Sequence, residues 1–221
     1  MPSFATQKIK MKRKSIVIIA FLIAIVSLSS CKVNKQYVQY ISKKENIKTP
    51  ETKKVIVFAT DDVRVNEFKK TFEKNFSEKG DFTLDFMTQF SKKGLANNLF
   101  SKILIDSNSF KYEDVNTENS DYVIYFSNFE IANRVEWNNV GGMGMNGVGM
   151  NNTTSVEYCV INVKVEVYDA KTNKEIIDFV VIGEESVFMF DFTKTLNKAK
   201  ERAVEHIINY LKSGKTEYKK Y

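Results

Sequence analysis

Residues 159–167 read Cys-Val-Ile-Asn-Val-Lys-Val-Glu-Val and contain the clearest strand signal of the chain. Apolar side chains occupy all its odd positions, and polar side chains occupy the even positions from 162 to 166. Because side chains alternate between the two faces of a strand, the pattern predicts a β-strand with one covered and one more solvated face. Residues 170–174 have the composition of a turn, after which the apolar alternation resumes at Ile177, Phe179 and Val181. Together these segments predict a β-hairpin.

The segments on either side extend the sheet and supply a helix. Residues 121–131 are apolar at both odd and even positions in their first half, which predicts a strand buried on both faces. Residues 138–154 are rich in Asn, Gly and Met and predict a long loop. After the hairpin, residues 192–212 predict a closing helix that ends before Gly214. Its apolar face comprises Leu196, Ala199, Ala203, Ile207 and Tyr210.

The chain before residue 121 predicts alternating strands and helices. The apolar run at residues 55–59 indicates a buried strand, and Thr60, Asp61 and Asp62 then supply helix N-cap chemistry. An apolar stripe at helical spacing continues up to Gly80 and comprises Val65, Phe68, Phe72 and Phe76. Residues 82–86 alternate like a second strand. A second helix is predicted over residues 91–106, with Leu95, Leu99 and Ile103 on one face.

These segments predict one α+β domain over residues 53–212, followed by a polar tail at residues 213–221. The element order is β-α-β-α-β-β-β-α. This order indicates a mixed sheet of roughly five strands, with about three helices packed mainly on one face.

The first thirty residues have the features of an export signal. Five cations lie between Lys8 and Lys14 with no acid among residues 1–30, and residues 16–28 form an apolar run. A helix of that length rises about 20 Å, short of the roughly 30 Å hydrocarbon core, so the run suits a signal peptide better than a membrane-spanning helix. Removing residues 1–30 reduces the formal net charge from +6 to +1. Charge therefore gives no support for nucleic-acid binding.

The end of this leader, Leu28-Ser29-Ser30-Cys31, resembles the lipobox of bacterial lipoproteins. The resemblance implies cleavage between Ser30 and Cys31, with a diacylglycerol and an N-acyl chain on Cys31. Two or three acyl chains suffice for stable attachment, since each buried CH₂ contributes about 0.8 kcal/mol. Lys32 follows in place of the Asp that retains many such proteins in the inner membrane, so the resemblance favours the periplasmic face of the outer membrane. The alternative is an ordinary secretory signal or anchor that ends at a buried cysteine.

Residues 31–52 are expected to be the lipidated cysteine and a polar, Lys-rich tether that leads to the domain. The order of elements in the domain resembles the small αβ domain of the TolB amino-terminal type. The resemblance covers roughly residues 53–212 and also rests on the segments 121–124 (DYVI) and 168–175 (YDAKTNKE). That domain occurs in lipoprotein activators of penicillin-binding proteins and in curli-secretion lipoproteins. These families contact other proteins or assemble into a channel and are not enzymes. No pair of long membrane-crossing hairpins is evident in the sequence, so the resemblance does not imply a pore.

The loop at residues 138–154 and the neighbouring Trp137 predict a contact surface. The loop holds five of the nine glycines together with Met143, Met145 and Met150, and flexible backbone with soft apolar side chains suits an adaptable contact. Disorder is the alternative explanation of the same composition. Residues 142–147 match G-x-G-x-x-G, but a strand is predicted after them instead of the helix that a dinucleotide site requires.

Other polar candidates have a structural explanation. Asp61 and Asp62 could bind a cation, but helix capping accounts for them. Glu184 and Glu185 are expected to be a solvated pair at a strand end.

His206 is expected to be a surface or packing histidine, because no nucleophile can be assigned to it. Cys159 is expected to be a buried structural thiol without a disulfide partner. The aromatic residues Tyr122, Tyr125, Phe126 and Phe129 are expected to lie mostly in the core.

We therefore expect a non-enzymatic envelope lipoprotein that contacts a periplasmic or outer-membrane protein, with no catalytic residues, no metal and no cofactor beyond its covalent lipid. The alternative is a ligand-binding lipoprotein that captures a peptidoglycan fragment, peptide or small molecule near Trp137. A third hypothesis is a hydrolase that uses Asp61 and Asp62. The sequence predicts no oligomeric state.

Overall fold

Nine strands and two α-helices make up the part of the chain that the structure, a computed structural model, describes: residues 34–44, 53–66, 79–141, 151–187 and 191–219. Contacts divide the chain into two units, Met1–Lys35 with Lys219–Tyr221, and Gln36–Tyr218. The strands are β1 (Asn34–Gln36), β2 (Val38–Lys44), β3 (Lys54–Ala59), β4 (Val63–Val65), β5 (Lys102–Ile105), β6 (Tyr122–Gly141), β7 (Asn151–Asp169), β8 (Lys174–Ser186) and β9 (Glu217–Lys219). The helices are α1 (Lys79–Ala96) and α2 (Phe192–Ser213), with a 3-10 turn at Tyr112–Asp114.

Seven strands form one mixed sheet in the order β2-β8-β7-β6-β3-β5, and β4 pairs with β6 beyond the end of β3. β3 is parallel to β5 and β6, whereas β6, β7, β8 and β2 are successively antiparallel. β1 and β9 form a separate two-stranded sheet. The predicted mixed sheet and the predicted hairpin, β7–β8, are confirmed. The sheet has seven strands and not five, and the described residues contain two α-helices and not three.

The alternation in β7 separates a helix-covered face from an open face. Its odd-numbered residues from Cys159 to Val167 are fully buried, in the same core cluster as the apolar faces of α1 and α2. The even-numbered residues lie on the opposite, open face, where Asn162, Lys164 and Glu166 are only partly covered. Both helices therefore pack on one side of the sheet, as predicted.

α2 is the closing helix that the sequence predicts. The Asp191 side chain caps its first turn by accepting a hydrogen bond from the Lys194 amide at 3.0 Å, and Gly214 ends it in the left-handed conformation at φ 66°. Its middle turns lie directly on the backbone of β8, because Gly183 has no side chain. A Cβ on Gly183 would lie 2.1 Å from the carbonyl oxygen of Ala199.

The chain between β3 and β5 differs most from the prediction. β4 occupies the start of the helix expected after Asp62, so Asp61 and Asp62 precede a strand and the capping assignment is wrong. Phe68, Phe72 and Phe76 lie outside the described residues. Residues 82–86 belong to α1 and not to a strand, and Gly80 lies in the first turn of α1. β5 replaces the end of the helix predicted over residues 91–106.

Strands also occupy segments predicted to be irregular. β2 pairs with β8, so residues 38–44 are not a tether. β6 continues to Gly141 and β7 begins at Asn151, so only residues 142–150 of the predicted loop remain outside the two strands, and these lie outside the described residues. β9 falls within the predicted polar tail. Neither described helix is long and apolar enough to span a bilayer. The leader and Cys31 lie outside the described residues.

Candidate functional site

The pair β6–β7 extends past its neighbours in the sheet. The two strands pair from Tyr122 and Asp169 to Gly141 and Asn151. β8 reaches only the level of Tyr158, and the Val187 amide makes the last bond at that edge, to the carbonyl of Glu157 at 2.8 Å. Among the described strands, residues 136–141 and 151–156 therefore pair only with each other. We call this segment the ribbon; six residues per strand extend about 20 Å.

Trp137 is the most exposed large hydrophobic side chain of the described residues, at 69%. It lies two positions from Val135, which is 44% exposed at the base of the ribbon, so both side chains point to the same side. Their cross-strand partners are Ser155 and Glu157. A tryptophan buries 150–250 Å² when enclosed, so covering the exposed part of this indole would contribute about 3–4 kcal/mol.

Ion pairs hold the base of the ribbon. Arg134 donates from one guanidinium nitrogen to the carboxylates of Glu136, at 2.8 Å, and Glu184, at 2.5 Å, and its guanidinium lies 5.2 Å from the centre of the Tyr158 ring. Glu184 is only 3% exposed, so the expectation of a solvated pair is wrong for it. Arg202 of α2 contacts the neighbouring Glu185 at 2.7 Å. These ion pairs link the base of the ribbon to β8, and β8 to α2.

The open face below the ribbon carries a row of paired charges. Lys164 donates to Glu166 at 2.9 Å and lies 3.5 Å from Asp178, while Ser127 donates to Glu166 at 2.9 Å. Burial opposes the charge on Lys164, but its hydrogen bond and ion pairs with the two carboxylates outweigh this and raise its pKa. Lys164 is thereby held between two carboxylates on this face.

His206 and Cys159 lie inside the fold. The Nδ1 of His206 is 2.7 Å from the Ile182 carbonyl oxygen, and its ring stacks on Tyr37 with centroids 4.2 Å apart. Burial lowers the pKa of His206, so the ring is neutral at pH 7. Cys159 is fully buried, and this burial raises the pKa of its thiol to about 12. The predictions of a packing histidine and a structural thiol are confirmed.

Asp61 and Asp62 lie exposed in the link between β3 and β4. The Thr60 hydroxyl accepts a hydrogen bond from the Asp62 amide at 3.1 Å, which fixes this link. Within the described part of the chain, no three His, Cys, Asp or Glu side chains are grouped so that they could hold a metal ion.

Trp137 therefore remains a surface candidate, whereas His206 and Cys159 are buried. Met143, Met145 and Met150 fall between β6 and β7, and with Ser30 and Cys31 they lie outside the described residues. A strand follows the glycine-rich segment, as predicted. Sequence reasoning missed Val135 and Arg134. The alternation Arg-Val-Glu-Trp at residues 134–137 carried that signal, since it continues the strand past residue 131.

No protein-family model and no curated protein matches the chain. Its fold is similar to that of a protein named as a homolog of a neuraminyllactose-binding hemagglutinin from Helicobacter pylori, with 12% identity, TM-score 0.44 and coverage of 80% of this chain and 91% of that chain. It is also similar to the PelC dodecamer from Paraburkholderia phytofirmans, with 13% identity, TM-score 0.42 and coverage of 78% and 96%. A minor lipoprotein from Acinetobacter baumannii has 9% identity, TM-score 0.37 and coverage of 73% and 94%. These similarities concern the fold alone.

Proposed function

We propose that this chain is a lipid-anchored bacterial envelope protein that acts without catalysis, by contacting another protein through the ribbon. The observation that carries the proposal is the exposure of Trp137 on a ribbon whose base is held by the ion pair between Arg134 and Glu184. Exposed aromatic side chains of this size are the usual anchors of protein interfaces. The membrane anchor rests on the sequence, which places a lipobox cysteine at residue 31 after a leader of export type.

The geometry of Trp137 favours protein contact over capture of a small ligand. A capture site encloses most of its ligand, and its aromatic groups are accordingly recessed. Trp137 instead presents more than two thirds of its surface, on a segment flanked by no other described strand. A partner would supply the missing cover: an apolar recess that takes the indole and Val135, with a polar rim opposite Glu157.

Three observations support a role without catalysis. The imidazole of His206 is packed against Tyr37 and a carbonyl, and the thiol of Cys159 is protonated at neutral pH. Asp61 and Asp62 have no third ligand within the described part of the chain. We place the protein on the periplasmic face of the outer membrane, because Lys32 follows Cys31.

The test is site-specific crosslinking in intact cells, with a photoreactive amino acid at residue 137. Tyr40 provides the matched control, because it is also aromatic and is 66% exposed, but lies on β2. We expect a discrete protein adduct from residue 137 and none of the same mass from residue 40. Identical adducts from both residues, or adducts to lipid alone from residue 137, would contradict the contact role.

A separate experiment tests the anchor. Cys31→Ala should abolish incorporation of labelled palmitate and leave an unprocessed precursor or a released protein, as judged by mass spectrometry of the mature amino terminus. Unchanged membrane association with an unchanged mature mass would remove the anchor from the proposal and leave the contact role of the ribbon standing.

A further inference from the structure

The two edges of the main sheet are protected to different degrees. The pairing of β2 with β8 is interrupted by two register shifts, a feature that discourages further strand addition. β5 pairs with β3 in continuous register over its whole length, with no bulge. At this edge Leu104 is 43% and Ile105 36% exposed. Among the described strands none covers the outer side of β5.

We propose that β5 pairs antiparallel with β5 of a second copy of this chain, with Leu104 on the two-fold axis. The backbone fits this register. The Asp106 amide donates to the Val57 carbonyl at 2.9 Å, so the amides and carbonyls that alternate with it, those of Ile103 and Ile105, face away from β3. With Leu104 on the axis, Ile103 of one copy lies opposite Ile105 of the other. Each such pair exchanges two hydrogen bonds, which gives four in total.

The side chains favour the same register. The sequence Lys102-Ile-Leu-Ile-Asp106 is self-complementary in charge about Leu104, so Lys102 of each copy lies opposite Asp106 of the other. A parallel arrangement would instead set Lys102 against Lys102. The carboxylate of Asp106 is the negative partner in this pair. Burial opposes its charge, but hydrogen bonds from Ser109 and Asn108 outweigh this and lower its pKa. The interface is isologous and closes as a dimer.

Such an interface is small. A four-residue edge buries less than the roughly 1,200 Å² of a stable complex, so the dimer is expected to form and dissociate rapidly. The pairing rests on β5 alone and does not depend on the lipid anchor or on the ribbon.

Disulfide trapping of the purified full chain tests the pairing. Across a non-hydrogen-bonded antiparallel pair the Cα atoms are about 4.5 Å apart, within the range of a disulfide. Leu104→Cys, oxidised with diamide, should therefore yield a disulfide-linked dimer. Leu84→Cys is the control, because Leu84 is equally exposed, at 43%, but lies on α1. The wild-type chain controls for Cys31 and for the buried Cys159.

A charge variant tests whether disulfide trapping depends on the proposed register. Lys102→Glu in the Leu104→Cys background sets two carboxylates against each other at both ends of the pair, and should lower the rate of trapping about fivefold at low salt, with partial recovery at high salt. Equal trapping at residues 84 and 104, or a rate unaffected by Lys102→Glu, would overturn the proposal. Circular dichroism verifies that each variant is folded.

Discussion

Replacement of Gly183 by alanine should separate α2 from the sheet. A Cβ at this position would lie 2.1 Å from the Ala199 carbonyl oxygen and 2.6 Å from the Ala203 amide nitrogen. Both obstacles are backbone atoms inside a helix, so neither can rotate away. Ordinary contact begins near 3.4 Å, and the helix must therefore move about 1 Å from β8.

The size of the effect follows from what α2 buries. A gap of 0.5–1 Å forfeits roughly a quarter to a half of the dispersion energy between the surfaces it separates. Leu196, Val204 and Ile207 are fully buried on this face, and burial of each such side chain contributes about 1.5–3 kcal/mol. We therefore expect Gly183→Ala to lower the free energy of unfolding by about 2–4 kcal/mol, a large part of the 5–15 kcal/mol typical of a domain.

Urea unfolding followed by far-ultraviolet circular dichroism measures this loss. Gly94→Ala in α1 is the matched control. Its Cβ would meet only Cδ1 of Ile103, at 2.8 Å, which can rotate, and alanine is favoured over glycine in a helix by about 1 kcal/mol. The control should stay within about 1 kcal/mol of the wild type. If Gly183→Ala does the same, the close approach of α2 to β8 is not as described.

Two further substitutions test buried polar groups. Because burial lowers the pKa of His206, the unfolded chain binds its proton more readily, so the free energy of unfolding should fall as the pH drops below about 6.5. His206→Gln should reduce that slope in urea titrations at pH 7 and pH 5, and an unchanged slope would assign the pH dependence to other groups. Arg134→Met should lower the free energy of unfolding by about 2–3 kcal/mol, because it removes the ion pair that Arg134 makes with the buried carboxylate of Glu184. Glu184→Gln should have a smaller effect, since Arg134 is 40% exposed and can be hydrated; equal losses in thermal melts would contradict this asymmetry.

The sequence predicted an element correctly where the spacing of its apolar residues fits only one kind of secondary structure. The alternation at residues 159–167 and the helical spacing at residues 196–210 each admit one geometry, and both elements were predicted. The ends of the helix were predicted to within one residue, whereas β7 begins at Asn151, well before the alternation. The glycine that ends α2 was equally clear, because few other residues adopt its left-handed conformation without strain.

Prediction failed where the spacing of apolar residues fits both the two-residue period of a strand and the 3.6-residue period of a helix. Phe82 and Phe86 are four residues apart, a spacing that both a strand and a helix place on one face, and the strand alternation breaks only at Met87 and Thr88. The rings of Phe82, Phe86 and Phe90 are buried, and they meet Phe126 and Phe129 edge to face with centroids 5.1–5.7 Å apart. Leu84, which a strand would have placed on the same face, is 43% exposed.

The end of α1 was missed for a related reason. Leu95, Leu99 and Ile103 continue a helical spacing, but the helix ends at Ala96, and Asn98 just beyond it adopts a positive φ of 53°. The Leu99 amide then donates to the Gly94 carbonyl at 2.9 Å, the bond that closes a helix C-terminus of this type. Asparagine is the residue after glycine that best tolerates this conformation, so the pair Asn97-Asn98 was the available stop signal.

The ribbon was not predicted, because the amino-acid composition of residues 138–154 was given more weight than the strand alternation that leads into them. Asn, Gly and Met suggested a loop from residue 138, whereas cross-strand pairing sustains the ladder as far as Gly141 and Asn151. Trp137 was singled out as a contact candidate, and that role stays a prediction. The cause of its exposure, the end of β8 at Ser186, depends on tertiary pairing that no local pattern contains.

The incorporation of residue 38 into the main sheet would limit the reach of a chain that is anchored through Cys31. With acyl chains on Cys31, only six residues of backbone separate the lipid from Tyr37, which is held by hydrogen bonds to Ile182 and Thr216. Six residues span at most about 20 Å even when fully extended. A lipid on Cys31 would therefore keep Tyr37 within about 20 Å of the bilayer surface. A binding partner would have to come close to that surface to contact the domain.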